Sequence, residues 1–227
     1  MPVVKQRTRW TSQPQVPVGI DWGNPITNGL ERALNFTRRV SRELAKGVSV
    51  TYGSNIVPLN QGYGIFGVGL KDIAGGNSAI SVASWANTTS EATVVLLQER
   101  GSTSNNEWLE LGTTGNVDHF PYGGLVYSDA FWNSRWISGA SIPAGKSFTK
   151  PHIIALSVKN GSQRAYWDGA LWVSASNTGG FTLPSTLSIN TGTGFIGTFY
   201  AAFFFSRALS PAEVKSLSDN PWQIFAP

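Results

Sequence analysis

Between Gly47 and Phe205 the chain is cut into short apolar or alternating runs, each bounded by glycine, asparagine, proline or serine. They are Ile65–Leu70, Ala79–Trp85, Thr93–Gln98, Trp108–Leu111, Ile153–Val158 and Gln163–Trp167. Runs of about four to eight residues punctuated in this way read as strands, because β-branched and aromatic side chains suit a pleated surface and the bounding residues suit turns. Lys159-Asn-Gly-Ser162 places Asn-Gly between two such runs, the strongest short-range hairpin signal. Asp168-Gly169 supplies a second turn. Composition agrees: 13% of residues are charged, against 25 glycines and 9 tryptophans in 227 residues. That balance favours many short strands over a helical protein, and the length suits one large β domain with a well-buried core. We assign this domain to residues 30–227.

Residues 1–29 are different. Pro2, Pro14, Pro17 and Pro25 interrupt them without sustained periodicity, so they read as an extended N-terminal arm. The arm carries Trp10, Val16, Val18, Ile20 and Trp22, apolar groups that a solvated tail does not need. It is expected to lie against a surface, either its own domain or a neighbour. Arg7, Arg9, Trp10, Asp21 and Trp22 are its candidate partner contacts. Charge is also concentrated here: residues 1–46 hold eight Lys or Arg against three Asp or Glu, net +5, and the remainder of the chain sums to −1. A basic segment on a nearly neutral body can meet an acidic protein surface or nucleic acid, or can simply be a solvated face. Nucleic acid is not among the partners expected.

Residues 28–46 admit two readings. Leu30, Ala33, Leu34, Val40 and Leu44 fall loosely at helical spacing with Gly47 as a cap, but the register slips around Asn35–Thr37. A strand over Leu30–Phe36 followed by a basic loop fits nearly as well. Near the end, Ser210-Pro-Ala-Glu213 has a hydroxyl N-cap, proline at the first helical position and glutamate three residues on, which predicts a short helix through Leu217.

Little in the sequence points to catalysis. With no cysteine there is neither a disulfide framework nor a thiolate metal site. The N-terminus has no signal-peptide pattern, and the most apolar runs, Val94–Leu97 and Phe199–Phe205, are far shorter than the roughly 20 residues of a spanning helix. No membrane partner is expected. Gly62–Gly67 and Gly192–Gly197 match a dinucleotide-binding pattern, but neither opens a helix after a strand, as cradling a phosphate requires. Glu107 and Glu110 are three apart, which in a strand sends them to opposite faces. His119 and His152 are far apart in sequence and lack convergent partners. We therefore expect no enzyme, no metal and no cofactor. Trp132 and Trp136, with Arg135 beside them, are the best candidates for a sugar-stacking or partner-binding surface; core packing is the competing role.

Two stretches resemble the laminin-G-like, concanavalin-type jelly roll. His152–Gly169 is similar to that family's hairpin ending in an aromatic and Asp-Gly, and Phe195–Val214 to its closing strand followed by Arg-Ala-Leu-Ser-Pro-Ala-Glu. The resemblance covers the C-terminal third and implies an all-β jelly-roll sandwich that binds rather than catalyses. Where many relatives carry an acidic pair after the Phe-x-Gly step, this chain has Tyr200 and Ala201; the Glu-x-Asp-x-x-Glu strand of the related glucanases is also absent. The ends, Arg9–Gln15, Val18–Pro25 and Asn220–Phe225, resemble proteins of tailed phages and prophages. That implies a virion structural protein assembled in the bacterial cytoplasm. Capsid decoration is the first expectation, with the major capsid protein or other virion proteins as partners and a homo-oligomer, for instance a trimer, as its state. The alternative is a carbohydrate-binding module of a phage tail or fibre that recognises a surface glycan.

Overall fold

The computed structural model describes residues 10–39, 42–58, 66–73, 80–83, 88–89, 91–100, 109–113, 116–120, 127–132, 135–141, 143–147, 149–159, 162–176, 181–182, 186–189 and 197–226. The first strands are β1 (Leu30–Asn35), β2 (Val50–Tyr52), β3 (Ile56–Pro58), β4 (Leu70–Asp72), β5 (Ile80–Ala83) and β6 (Thr88–Thr89). Next come β7 (Glu91–Arg100), β8 (Leu109–Thr113), β9 (Asn116–Phe120), β10 (Tyr127–Trp132) and β11 (Arg135–Ser141). The last are β12 (His152–Lys159), β13 (Ser162–Trp167), β14 (Ala170–Ala175), β15 (Phe181–Thr182), β16 (Thr186–Ile189) and β17 (Gly197–Phe205), followed by helix α1 (Pro211–Asp219).

Eight strands form an antiparallel sheet in the order β14-β13-β12-β7-β17-β4-β3, with β1 also paired to β17. A second sheet of five runs β2-β5-β16-β8-β9, while β10–β11 and β6–β15 pair separately. The two larger sheets enclose the inner core, where Val94, Leu96, Leu156 and Phe204 of the first meet Ile80, Val82 and Ile189 of the second. Each such side chain contributes about 1.5–3 kcal/mol when fully buried.

The other face of the large sheet is covered too. Val95, Leu97, Ile153, Tyr166, Phe203 and Phe205 point away from the second sheet and pack under α1, the 3-10 turn Pro221–Ile224 and the segment from Trp10 to Ile26. Strands β7, β12 and β17 are therefore buried on both faces. This explains why they read as nearly unbroken apolar runs rather than alternating ones.

Of the two readings of residues 28–46, the strand forms. A bulge between Leu30 and Arg32 shifts the register against β17, so Leu30 and Ala33 both face outward although they are three residues apart. That irregularity produced the helix-like spacing. The turns follow the sequence closely: Lys159 pairs with Ser162, and Trp167 with Ala170 across Asp168 and Gly169, which adopt φ of 47° and 81°. The capping box is complete, with Ser210 Oγ accepting from Glu213 N and Glu213 accepting from Ser210 N. No described helix is long and apolar enough to cross a membrane.

Candidate functional site

At one end of the large sheet, where the N-terminal segment turns into β1, lies an open cleft of about 320 Å³. Its lining includes Trp22, Asn28, Glu31 and Lys46. Trp22 sits on a tight turn whose backbone is held on both sides. Asp21 N donates to Ile224 O (2.8 Å), Asn24 N to Asp21 O (2.9 Å), and the buried Asp21 carboxylate accepts from Gly23 N (3.2 Å). The neighbouring Asn24 caps the 3-10 turn Pro25–Thr27 and donates through Nδ2 to Gln223 O (2.9 Å). The turn is thus pinned to the C-terminal residues, while the Trp22 side chain remains 55% exposed. A large aromatic held in water by a rigid turn is a surface prepared for contact.

Lys46 reaches the same place from a separate loop. Its ammonium lies 5.7 Å from the centroid of the Trp22 ring, within the range of a cation–π contact. The loop is shaped by Glu43, whose buried carboxylate accepts from four backbone amides, those of Ala33, Ala45, Lys46 and Val48 (2.6–3.3 Å). Leu44 N also donates to Ala33 O (2.9 Å), fixing the loop to β1. One carboxylate therefore sets the position of the lysine.

Arg207 braces the backbone of the cleft's lining. Its Nε donates to Asn28 O (2.6 Å), and Nη2 donates to Ile26 O (3.4 Å) and to Glu213 Oε1 (2.6 Å). Gly29, at φ 73°, lies against it: a Cβ there would stand 3.1 Å from Arg207 Cγ. Glu31 accepts from Ser206 Oγ (3.2 Å) on the cleft's edge. Among the described residues, the Trp22 indole N–H and the Asn28 side-chain amide carry no protein partner. The cleft combines an aromatic face, a cation, a carboxylate and an amide, so it can grip a ligand that has one apolar face and a rim of hydroxyls.

The sequence-selected residues are distributed unevenly. Arg7 and Arg9 lie outside the described residues. Trp10 is packed against the outer cluster, its Nε1 donating to Ala226 O (3.0 Å) while Asn220 Nδ2 donates to Trp10 O (2.8 Å). Asp21 acts through the backbone, and of the three that are described only Trp22 lines the cleft. Of the two surfaces open to the segment, the described part takes its own domain. Trp132 and Arg135 are paired across β10 and β11, as are Phe131 and Trp136, and their side chains lie outside the described residues. Lys46, Asn28, Glu31, Glu43 and Arg207 were not singled out as site residues from the sequence; Arg207 offered a signal only as the first residue of the Arg-Ala-Leu-Ser-Pro-Ala-Glu motif.

Two ionisable groups are displaced from their ordinary range. Burial pushes the His152 imidazole down to about 4, against the opposing pull of its Nδ1–H bond to Lys150 O (2.7 Å); the ring stacks on Trp167 at 4.7 Å. It is a neutral packing residue. The hydrogen bond from Arg207 draws Glu213 down to about 2, helped by the Ser210 cap. Among the described residues, no three His, Asp or Glu side chains gather as a metal site would require.

No protein-family model matches the sequence, and no curated protein matches it. Solved structures do. The binding domain of Paraclostridial Mosquitocidal Protein 1 superposes with a TM-score of 0.67 at 11% identity, over 85% of this chain and 52% of that one. The binding domain of botulinum neurotoxin DC in complex with SialylT gives 0.65 at 12% identity, over 86% and 52%. Domain 4 of AbnA, an extracellular GH43 arabinanase from Geobacillus stearothermophilus in complex with arabinotriose, gives 0.61 at 17% identity, over 83% and 98%. The chain spans about half the length of the toxin binding domains it matches and nearly all of the arabinanase domain. At these identities the likeness speaks for architecture: the chain is an all-β, jelly-roll sandwich with one short C-terminal helix.

Proposed function

We propose that this protein is a carbohydrate-binding, lectin-like module, with the Trp22 cleft as its sugar site. The observation that carries this reading is the exposed Trp22 ring, fixed by a pinned turn and ringed by Lys46, Glu31 and Asn28. A pyranose offers an apolar C–H face to stack on the indole and equatorial hydroxyls to bond the surrounding polar groups. Two similar structures were captured with SialylT and arabinotriose, which supports the same chemistry on the same architecture. The test is binding of the whole chain to a broad glycan array, followed by Trp22→Ala. Binding that disappears in the variant supports the proposal; an array without a single bound glycan removes it.

A second reading keeps the chain at a virion surface, as a capsid decoration protein bound to the major capsid protein or as a component of a tail or fibre. Its support is that the phage-like stretches converge. Trp10 bonds Ala226 and Asn220, Ile20 bridges Phe225, and Asp21 bonds Ile224, so these stretches pack together on one side of the sandwich. That side of the molecule would face the virion, with a trimer as the assembly. Labelled antibody against the protein should decorate purified particles at one site; particles without the protein contradict this reading.

A further inference from the structure

The Trp22 cleft has a neighbour. A second cleft, also about 320 Å³, is lined by Ser157, Lys159, Ser162, Arg164 and the 208–211 segment leading into α1. Register places the two at the same end of the large sheet. Leu30 pairs with Phe205, Phe205 with Thr93, Thr93 with Ser157 and Ser157 with Arg164. Four inter-strand steps amount to about 19 Å. The alternation puts all five side chains on the outer face, with Leu30 and Phe205 in the outer cluster and Thr93, Ser157 and Arg164 in step with Val95, Ala155 and Tyr166.

Charge distinguishes the second cleft from the first. Glu213 is held by Arg207, and Glu91 lies 3.4 Å from Lys159, so each carboxylate at its border already has a cation. Arg164 is exposed and has no ion-pair partner among the described residues. Ser162 adds a hydroxyl without a protein partner among the described residues, and Ser157 is fixed by donating to Leu209 O (3.2 Å). A planar guanidinium, with the Ser162 hydroxyl and an ion-paired lysine beside it, fits a carboxylate or sulfate, which it can hold with paired N–H bonds.

We propose that this cleft binds the anionic group of an acidic oligosaccharide whose neutral ring stacks on Trp22. The inference rests on the carbohydrate reading and deepens it, naming the ligand class as elongated glycans bearing a carboxylate or sulfate. Arg207 links the two linings, bonding Asn28 of the first and Glu213 of the second.

The experiment uses the whole chain on an array carrying neutral, uronate-containing, sialylated and sulfated oligosaccharides, with wild type, Arg164→Gln and Trp22→Ala compared. Arg164→Gln changes an exposed residue, and an unchanged melting temperature verifies its fold. Acidic glycans should dominate the bound set. Their affinity should fall about tenfold in Arg164→Gln and weaken with added salt, while binding of neutral glycans stays unchanged. Whether the bound acids are carboxylated or sulfated identifies the source of the charge. Preference for neutral glycans, or acidic binding untouched by Arg164→Gln, overturns the anionic subsite and leaves the Trp22 reading standing. No binding to any glycan removes both.

Discussion

The two faces of the large sheet are equally apolar but are covered by different means. The inner face meets a second sheet, as in any sandwich, whereas the outer face is closed by the chain's own ends: residues 10–26 before β1, and α1 with its following turn after β17. Interior burial on both faces makes the ends part of the body. It also decides where chemistry can sit, because the cover stops at the rim beside Trp22. There an aromatic that would otherwise have joined the outer cluster is left facing water.

The comparison can be broken by mutation. If the outer cover is a true core, Trp222→Ala, which empties a fully buried site stacked near Phe225, should cost about 3–5 kcal/mol in urea unfolding, as much as Phe204→Ala on the inner face. A cost below about 1 kcal/mol for Trp222 alone would mean that the outer layer is loosely attached. Glu43→Ala should come next, at about 2–3 kcal/mol, because it orphans amides of Ala33, Ala45, Lys46 and Val48 together. It should also weaken ligand binding by releasing Lys46, an effect absent from Trp222→Ala variants that remain folded.

Acid sharpens the comparison further, since His152 faces the inner side and Glu213 stands at the outer rim. The folded His152 has its pKa pushed below the ordinary 6.5 to about 4, so between these values the unfolded chain takes up a proton that the folded one refuses. Stability should therefore fall as pH drops from 6.5 towards 4. Glu213, lowered from 4.5 to about 2, should cause a further decline below pH 4.5. Urea midpoints measured against pH should show both windows in wild type and lose the upper one in His152→Asn. A flat profile from pH 6.5 to 4 contradicts the buried neutral imidazole.

What could be read from sequence was local. The Asn-Gly hairpin, the Asp-Gly turn and the Ser210–Glu213 capping box each depend on residues a few positions apart, and all formed. The apolar demand of the N-terminal segment was visible, but its resting place was not, because Trp10 meets residues more than 200 positions away. Trp22 stood out by residue type. Lys46 did not, since it reaches the indole only through a loop folded around Glu43, and Arg164 gains its meaning only from strand register. The helix-like spacing of Leu30, Ala33 and Leu34 shows the same limit, because a bulge is invisible until the partner strand is known.

The smallest expected change in stability belongs to the most informative variant. Trp22→Ala, at an exposed position, should alter the unfolding free energy by no more than about 0.5 kcal/mol. Calorimetric titration of the strongest array glycan into wild type and Trp22→Ala, with urea curves on the same samples, tests the central claim directly. The account predicts saturable binding to wild type and none to the equally stable variant; equal affinity for both would contradict it.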